Sequence, residues 1–428
     1  FVMKLNSLGE LEWVTQLGAV HQSNNDEVTS SEGYEACMSI EVDSLGNIFC
    51  GGYTSGSLGE GIGGGYDVFV MKLNSVGILQ WVTQLGGDSG NDNSTLVNAS
   101  DSDFCSDLAL DGSGNVYCSG YTEGSLGETN GDAYDVFVMK LNSSGELQWI
   151  TQLGDVSDND NGINLDSSSI DLCNALTVDN LGNSYCAGST KGSLIEGNGG
   201  GSNKEDIIVV KLDSSGTLQW IAQLGSDTSN DNSIPINVSD KEACNGIAVD
   251  SKGNIFCSGY TRSNLMEENG GFRDAFVMKI NSDQVLQNII HLGANTMDQK
   301  WYLARPVGTD ICWAIKVDND QNIYCAGETT SGLGEKSGGS EDAFVMKINS
   351  LGETQWITQI GATHQEGDLF IDTSKRDRCY GLALDKSGNI YCAGETYSDL
   401  SESNGGVSDA FVMKLNSLGE LEWVTQLG

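Results

Sequence analysis

Twelve cysteines carry the most ordered chemistry in the sequence: Cys37/Cys50, Cys105/Cys118, Cys173/Cys186, Cys244/Cys257, Cys312/Cys325 and Cys379/Cys392, each pair thirteen positions apart. An even number in fixed pairs is the pattern of disulfides made in an oxidising compartment. Two connectivities use all twelve: a bridge within each pair, or bridges from one pair's first cysteine to another pair's second. Each pair flanks a short turn, which sets its sulfurs on adjacent antiparallel strands and favours the first scheme. A bridge closing so short a loop stabilises by roughly 3 kcal/mol at most. Zinc is the competing use, but this spacing is not a Cys-x-x-Cys knuckle and the chain has only 3 His. His21, His291 and His364 fall at scattered positions and read as lone surface residues.

Catalytic signatures are missing from the sequence: no Gly-x-Ser-x-Gly elbow, no phosphate-binding glycine loop and no His-Glu-x-x-His helix. Asp67, Asp135, Asp206, Asp274, Asp342 and Asp409 recur once per repeat, just before a strand, as turn or capping acceptors do. A catalytic set should instead break the repeat. The clearest break is Asn288, where other repeats carry Trp13, Trp81, Trp149, Trp220, Trp356 and Trp423; Gln284 and Gln321 replace turn glycines nearby. Close by, DQKWYLARPVGTDICW holds Trp301, Tyr302, Arg305 and Trp313, a composition suited to a protein or sugar contact. The alternative is that this stretch packs into the space left at Asn288. With no non-periodic acid, base and nucleophile in view, the chain is expected not to be an enzyme.

The net charge of −39, from 60 acidic and 21 basic residues, repels a phosphate backbone and excludes nucleic acid as a partner. No cofactor is expected. Calcium is the ion such a surface would attract, and Asp92, Asp158, Asp160 and Asp231 in Asp/Asn-rich loops are its candidate ligands. An EF-hand is excluded, because Ser168 stands where the bidentate Glu would be needed. Asn93, Asn98, Asn142 and Asn237 head Asn-x-Ser/Thr sequons, candidate glycosylation sites in a eukaryotic source and chance matches in a bacterial one. There is no run of 18 apolar residues to span a membrane. Residue 1 is Phe, inside a recurring strand, so the chain is expected to be a piece of a longer processed precursor.

These residues sit on a repeat. The first cysteines of successive pairs advance by 68, 68, 71, 68 and 67 residues, which gives six copies. Each copy has four strand-like segments, for example CSDLALD (105–111), NVYCSGYT (115–122), DVFVMKLN (135–142) and ELQWITQLG (146–154). The turns DGSGN (111–115) and NSSG (142–145) supply the Gly and Asn that tight hairpins need. A four-stranded antiparallel unit cannot bury both faces alone, so neighbours must stack as in a propeller or superhelical array.

The series GxxDAFVMKLNSxGxLQWVTQLG followed by CxxIAVDxxGNIYCAGxT resembles the SBBP β-propeller repeat of bacterial secreted proteins over essentially the whole chain. The paired cysteines and the long acidic loops depart from the usual pattern. The resemblance implies an all-β propeller of four-stranded antiparallel blades but no single activity. By analogy the IAVD strand is innermost, where small residues such as Ala109, Ala248 and Ala383 suit a crowded axis, and the LQWVTQLG strand is outermost. The blades would then run 19–86, 87–154, 155–225, 226–293, 294–361 and 362–428, with residues 1–18 a half blade, all in one propeller domain.

Residues 1–18 are identical to residues 411–428. That identity points to a recently duplicated array or a periodic filament, with a chance match or a closure strand as the alternative; the half blade would complete a seventh blade or pair with a neighbouring molecule. The expectation is an extracellular or cell-surface structural protein, a unit of a surface layer or filament whose partners are copies of itself. An adhesin or lectin-like propeller recognising protein or glycan is the alternative.

Overall fold

The structure is a computed structural model and describes residues 1–18, 33–58, 65–86, 102–126, 134–153, 170–192, 205–224, 241–262, 273–292, 308–330, 333, 340–360, 375–401 and 404–428. Every regular element among them is a strand. An N-terminal hairpin, β1 (Val2–Leu5) and β2 (Leu11–Thr15), precedes the first blade, β3 (Glu35–Val42), β4 (Ile48–Thr54), β5 (Asp67–Leu73) and β6 (Leu79–Leu85). The second blade is β7 (Asp103–Leu110), β8 (Val116–Thr122), β9 (Asp135–Leu141) and β10 (Leu147–Leu153); the third is β11 (Asp171–Val178), β12 (Ser184–Thr190), β13 (Asp206–Leu212) and β14 (Leu218–Leu224). The fourth is β15 (Glu242–Val249), β16 (Ile255–Thr261), β17 (Asp274–Ile280) and β18 (Leu286–Leu292). The fifth is β19 (Asp310–Val317), β20 (Ile323–Thr329), β21 (Asp342–Ile348) and β22 (Thr354–Ile360), and the sixth β23 (Asp377–Leu384), β24 (Ile390–Thr396), β25 (Asp409–Leu415) and β26 (Leu421–Leu427). Each of the six is a four-stranded sheet in sequence order, paired antiparallel, the blade of the β-propeller fold. The strands fall into two compact units, Phe1–Leu5 with Leu11–Leu224 and Asn6–Glu10 with Gly225–Gly428.

The turns follow from local chemistry. In the second blade Asp111 Oδ1 accepts the Ser113 and Asn115 amides (2.9 and 3.0 Å), and Asn115 Nδ2 donates to Asp111 Oδ2 (2.7 Å). Burial pushes the Asp111 carboxyl up, but the Asn115 and Ser113 donors outweigh it and hold it below the usual carboxylate range. Asp43, Asp179, Asp250, Asp318 and Asp385 head equivalent turns. Gln321, and Gln284 in the other kind of turn, keep the positive φ (63° and 67°) that glycine holds elsewhere.

Each inner hairpin carries a bulge immediately after its first cysteine. Cys105 faces Gly120 and Asp107 faces Ser119, so Ser106 is left out of the ladder; Met38, Asn174, Asn245, Trp313 and Tyr380 are its counterparts. The bulge presses the first strand onto the second. A Cβ on Gly120 would lie 1.8 Å from the Phe104 carbonyl oxygen, so only glycine fits.

The disulfides join Cys37 to Cys50, Cys105 to Cys118, Cys173 to Cys186, Cys244 to Cys257, Cys312 to Cys325 and Cys379 to Cys392, with Cα atoms 5.8–6.0 Å apart. That is the scheme within each pair; the alternative, bridges from one repeat to another, does not occur, and no described cysteine is free. The two half-cystines do not face one another in the ladder. Cys50 is opposite Ile40, Cys118 opposite Leu108, Cys186 opposite Leu176, Cys257 opposite Ile247, Cys325 opposite Ile315 and Cys392 opposite Leu382, so each bridge runs diagonally over the bulge. These six second-strand cysteines are all buried, which places the bridges among the apolar side chains between blades.

Packing between blades rests on the fourth-strand tryptophan. The Trp81 ring lies 6.1 Å from Phe49, its indole N–H donates to the Ser143 carbonyl (3.2 Å), and Thr83 Oγ1 donates to the Gly145 carbonyl (2.6 Å). Apolar residues of neighbouring strands fill the space between, among them Phe49, Val70, Leu108, Phe137 and Met139, all buried. On the innermost strands of the first unit, Asp107 accepts Ser39 Oγ and the Leu176 amide (2.7 Å each), tying three consecutive blades with one carboxylate. Ala109 and Ala248 are buried, whereas Ala383 is exposed, so the crowding expected at that position does not hold in the sixth blade. In the second unit the hairpin turn takes the same contacts from the last strand: Trp423 Nε1 donates to the Ser7 carbonyl (3.2 Å) and Thr425 Oγ1 to that of Gly9 (2.7 Å).

Candidate functional site

Scaffold residues repeat from blade to blade, so functional ones are sought where a repeat position changes. At the end of each blade where β4 leaves and β5 returns, two carboxylate positions are periodic and structural. The aspartate opening the third strand is buried and accepts its own blade's fourth-strand glutamine, as in Gln84 to Asp67 (2.7 Å) and Gln152 to Asp135 (2.9 Å). The acid opening the first strand accepts a threonine hydroxyl, as in Thr329 to Asp310 (2.5 Å). In the fourth blade His291 replaces the glutamine. It is buried, with Nδ1 3.9 Å from Asp274 Oδ2, which corrects its reading as a surface histidine.

Four other positions at that end are not periodic: the residue before the first cysteine, the bulged residue, the last but one of the second strand, and the residue before the third strand. In the first two blades these positions hold five rings. Tyr53, Tyr66, Phe104, Tyr121 and Tyr134 form a continuous row, with centroids 5.0 Å apart for Tyr53–Phe104, 5.1 Å for Tyr53–Tyr66, 4.9 Å for Phe104–Tyr121 and 5.3 Å for Tyr121–Tyr134. All five are part-exposed. Burial raises the Tyr121 phenol, and a hydrogen bond to Glu123 with some burial pushes Tyr134 up to about 12, so both hydroxyls stay protonated at neutral pH, that of Tyr134 donating to Glu123.

In the second unit the same positions of the fifth and sixth blades hold charges. Arg378, beside Cys379, pairs with Glu328 (2.5 Å) and Glu341 (2.6 Å) and reaches Glu395 (3.4 Å) and the Tyr380 hydroxyl (3.2 Å); Tyr380 donates to Glu395 (2.9 Å). The bulged Trp313 and Tyr380 meet edge to face at 5.8 Å. Burial raises the Glu328 carboxyl against the pull of Arg378, with Glu341 adding to the rise. Burial, more than the Glu395 bond, pushes the Tyr380 phenol up to about 12. Arg378 is shared among three carboxylates, so the cluster clamps two blades together.

The sequence pointed elsewhere. Of its binding candidates Trp313 is in this cluster, while Trp301, Tyr302 and Arg305 lie outside the described residues. So do the calcium candidates Asp92, Asp158, Asp160 and Asp231 and the sequons at Asn93, Asn98 and Asn237. Asn142 heads a turn, its carboxamide donating to Glu146 (2.7 Å) and accepting the Ser144 and Glu146 amides. No group of three or more His, Cys, Asp or Glu suited to a metal occurs among the described residues. The ring row was missed because it lies beside the cysteines, in columns that vary between repeats. Comparing those columns one by one was the available signal.

The geometry and the repeat agree with one family. The family model described as a beta-propeller repeat, SBBP, matches residues 80–128, 148–196, 219–265 and 355–401. The chain carries SBBP beta-propeller repeats. Each matched SBBP segment runs from the fourth strand of one blade to the inner hairpin of the next, and the fourth-to-fifth junction, where Asn288 replaces tryptophan, is not matched. No curated protein matches the chain.

Solved structures that resemble the chain do so at low identity and low TM-score. An ulvan lyase with bound -[GlcA(1-4)Rha3S]- is 10% identical, covers 93% of this chain and 86% of its own, and has a TM-score of 0.47. A sialidase, described as Hadza microbial, is 11% identical (85% and 66% covered, TM-score 0.38), and an exo-beta-1,3-galactanase from Clostridium thermocellum is 10% identical (90% and 78%, 0.36). These are named as enzymes, which overturns the expectation that the chain is not one: a propeller of repeated blades does not exclude catalysis. Likeness at this level assigns no role.

Proposed function

We propose that this chain is an extracellular binding propeller that recognises a neutral saccharide on the aromatic row of its first unit. The observation that carries the reading is the run of five part-exposed rings from Tyr53 to Tyr134, placed where the scaffold requires no particular residue. Rings of this kind offer apolar faces to the C–H faces of sugar rings, while the tyrosine hydroxyls bond to sugar hydroxyls. The charge of −39 disfavours sulfated or uronate-rich polymers and leaves neutral ones. Six disulfides, and no helix among the described residues long and apolar enough to cross a membrane, are compatible with an extracellular setting. A glycan array with the full chain tests it: binding to neutral glycans is expected, with loss of about tenfold or more in Phe104→Ala. An array silent for neutral glycans, or binding unchanged in that variant, refutes it.

The building-block reading rests on the identity of residues 1–18 with 411–428 and on the edge of β1, which pairs only with β2 among the described residues. Strand addition there needs a donor hairpin, and all six inner hairpins are committed to their own sheets. Electron microscopy of native material showing discrete single particles would dispose of it.

A further inference from the structure

Where Asn288 stands in place of the tryptophan, the second unit has an open cleft of about 200 Å³ between its fourth and fifth blades. The missing indole can be placed by its counterparts. In the other blades it packs on the second-strand ring at 5.9–6.4 Å, as for Tyr117–Trp149 and Tyr324–Trp356. It also lies over the positive-φ glycine of the following turn, such that a Cβ on Gly216 would be 2.7 Å from Trp149 and one on Gly419 2.6 Å from Trp356. Trp149 donates its N–H to the Ser214 carbonyl at 3.3 Å, and Thr151 and Thr358 donate to the glycine carbonyls at 2.6 and 2.5 Å.

The cleft keeps the receiving half of that arrangement without the donors. Phe256 forms one wall, with the Lys279 ammonium 5.1 Å from its centroid. Gly352 (φ 87°) forms the floor, where a Cβ would meet only the Asn288 amide at 3.3 Å and Ile290 at 3.4 Å. Ile290 takes the place of the threonine, so neither the indole donor at Ser350 nor the hydroxyl donor at Gly352 is available. Gln321, in the left-handed region where five other such turns have glycine, lines the same cleft and anchors its side chain on Asp250 (2.6 Å).

We infer that the cleft is a binding site for a free indole-class ligand, a planar bicyclic aromatic carrying one ring N–H. The ring would lie between Phe256 and Gly352 and donate to the Ser350 carbonyl. A cavity of about 150 Å³ lined by apolar groups takes up benzene, and about 200 Å³ admits the larger indole.

Calorimetric or ligand-observed NMR titration of the full, disulfide-intact chain tests this. Saturable binding of indole is expected, weakened about tenfold or more for 1-methylindole, which has no N–H to donate. Asn288→Trp, folded by near-UV circular dichroism, should lose the binding because its own indole fills the cleft, whereas Asn288→Ala should keep it. If the tryptophan variant fails to fold, the comparison of the two ligands decides alone. Four results would overturn the inference: no saturation up to the solubility limit of indole, equal affinity for 1-methylindole, unchanged binding in folded Asn288→Trp, or a capped tryptophan-containing peptide binding more than about tenfold tighter than indole. The last would assign the cleft to a partner's side chain.

Discussion

Replacing Asp377 by asparagine should make the protein less sensitive to rising pH. Asp377 opens the first strand of the sixth blade, buried, accepting Thr396 Oγ1 (2.5 Å) and Ser398 Oγ (3.2 Å). Burial pushes its carboxyl from 3.8 up to about 6; the two hydroxyls oppose the rise, and the Asp342 carboxylate adds to it. The folded chain therefore keeps this proton to about pH 6, while the unfolded chain releases it near 3.8. Between those values the folded state binds more protons, so stability falls as pH rises and levels off above about 6. The displacement corresponds to about 3 kcal/mol. In the Asp377→Asn variant the carboxamide would still accept the Thr396 hydroxyl but never ionise. Urea unfolding followed by tryptophan fluorescence, at steps from pH 4 to pH 8 with disulfides intact, should show the variant gaining on the wild type by about 3 kcal/mol between about pH 4 and pH 6. A difference constant with pH, or a wild type that gains as pH rises, refutes the account of a carboxyl held protonated by its surroundings.

Three further outcomes follow from the fold. Alkylation without reduction should add no mass to the folded chain, and Cys105→Ser with Cys118→Ser should cost up to about 3 kcal/mol in urea unfolding; a labelled thiol in the native protein would contradict the pairing. Gly145→Ala should cost about 2 kcal/mol or more, because φ is 84° and the new Cβ would stand 2.8 Å from the Trp81 ring; an unchanged thermal midpoint would count against that contact. Arg378→Leu removes the guanidinium from Glu328, leaves Glu341 with Arg376 alone at 3.6 Å, and should cost about 3–5 kcal/mol at neutral pH. As Glu328 already titrates high, this deficit should shrink on acidification through the glutamate range, and one that grows or stays level would contradict the charge argument.

The fold was legible in the sequence because its determinants repeat. Cysteines thirteen apart, turns such as DGSGN and the recurring DVFVMKL strand state the same local preference six times. Asn288 was visible for the same reason, as an exception in a regular column, although whether its neighbours close over the gap or leave it open depends on packing that a sequence does not state. The aromatic row was hidden. Tyr53 and Tyr121, like Tyr66 and Tyr134, sit one repeat apart, but the columns do not keep their rings through all the later blades, Phe104 has no counterpart ring, and each alone looks like an ordinary strand residue. His291 misled for a related reason: its burial comes from replacing a glutamine that bonds an aspartate, a relation seen only once Gln84 and Asp67 are known to touch.

The bulge after each first cysteine has a consequence for how such a chain can change. A residue excused from the ladder gives up no strand hydrogen bond when it is replaced, while the bridge beside it keeps the hairpin shut. Met38, Ser106, Asn174, Asn245, Trp313 and Tyr380 differ in size and polarity, yet the register around each is the same. Every blade thus offers one socket that accepts almost any side chain, and new surface chemistry can be tried one socket at a time without re-solving the fold.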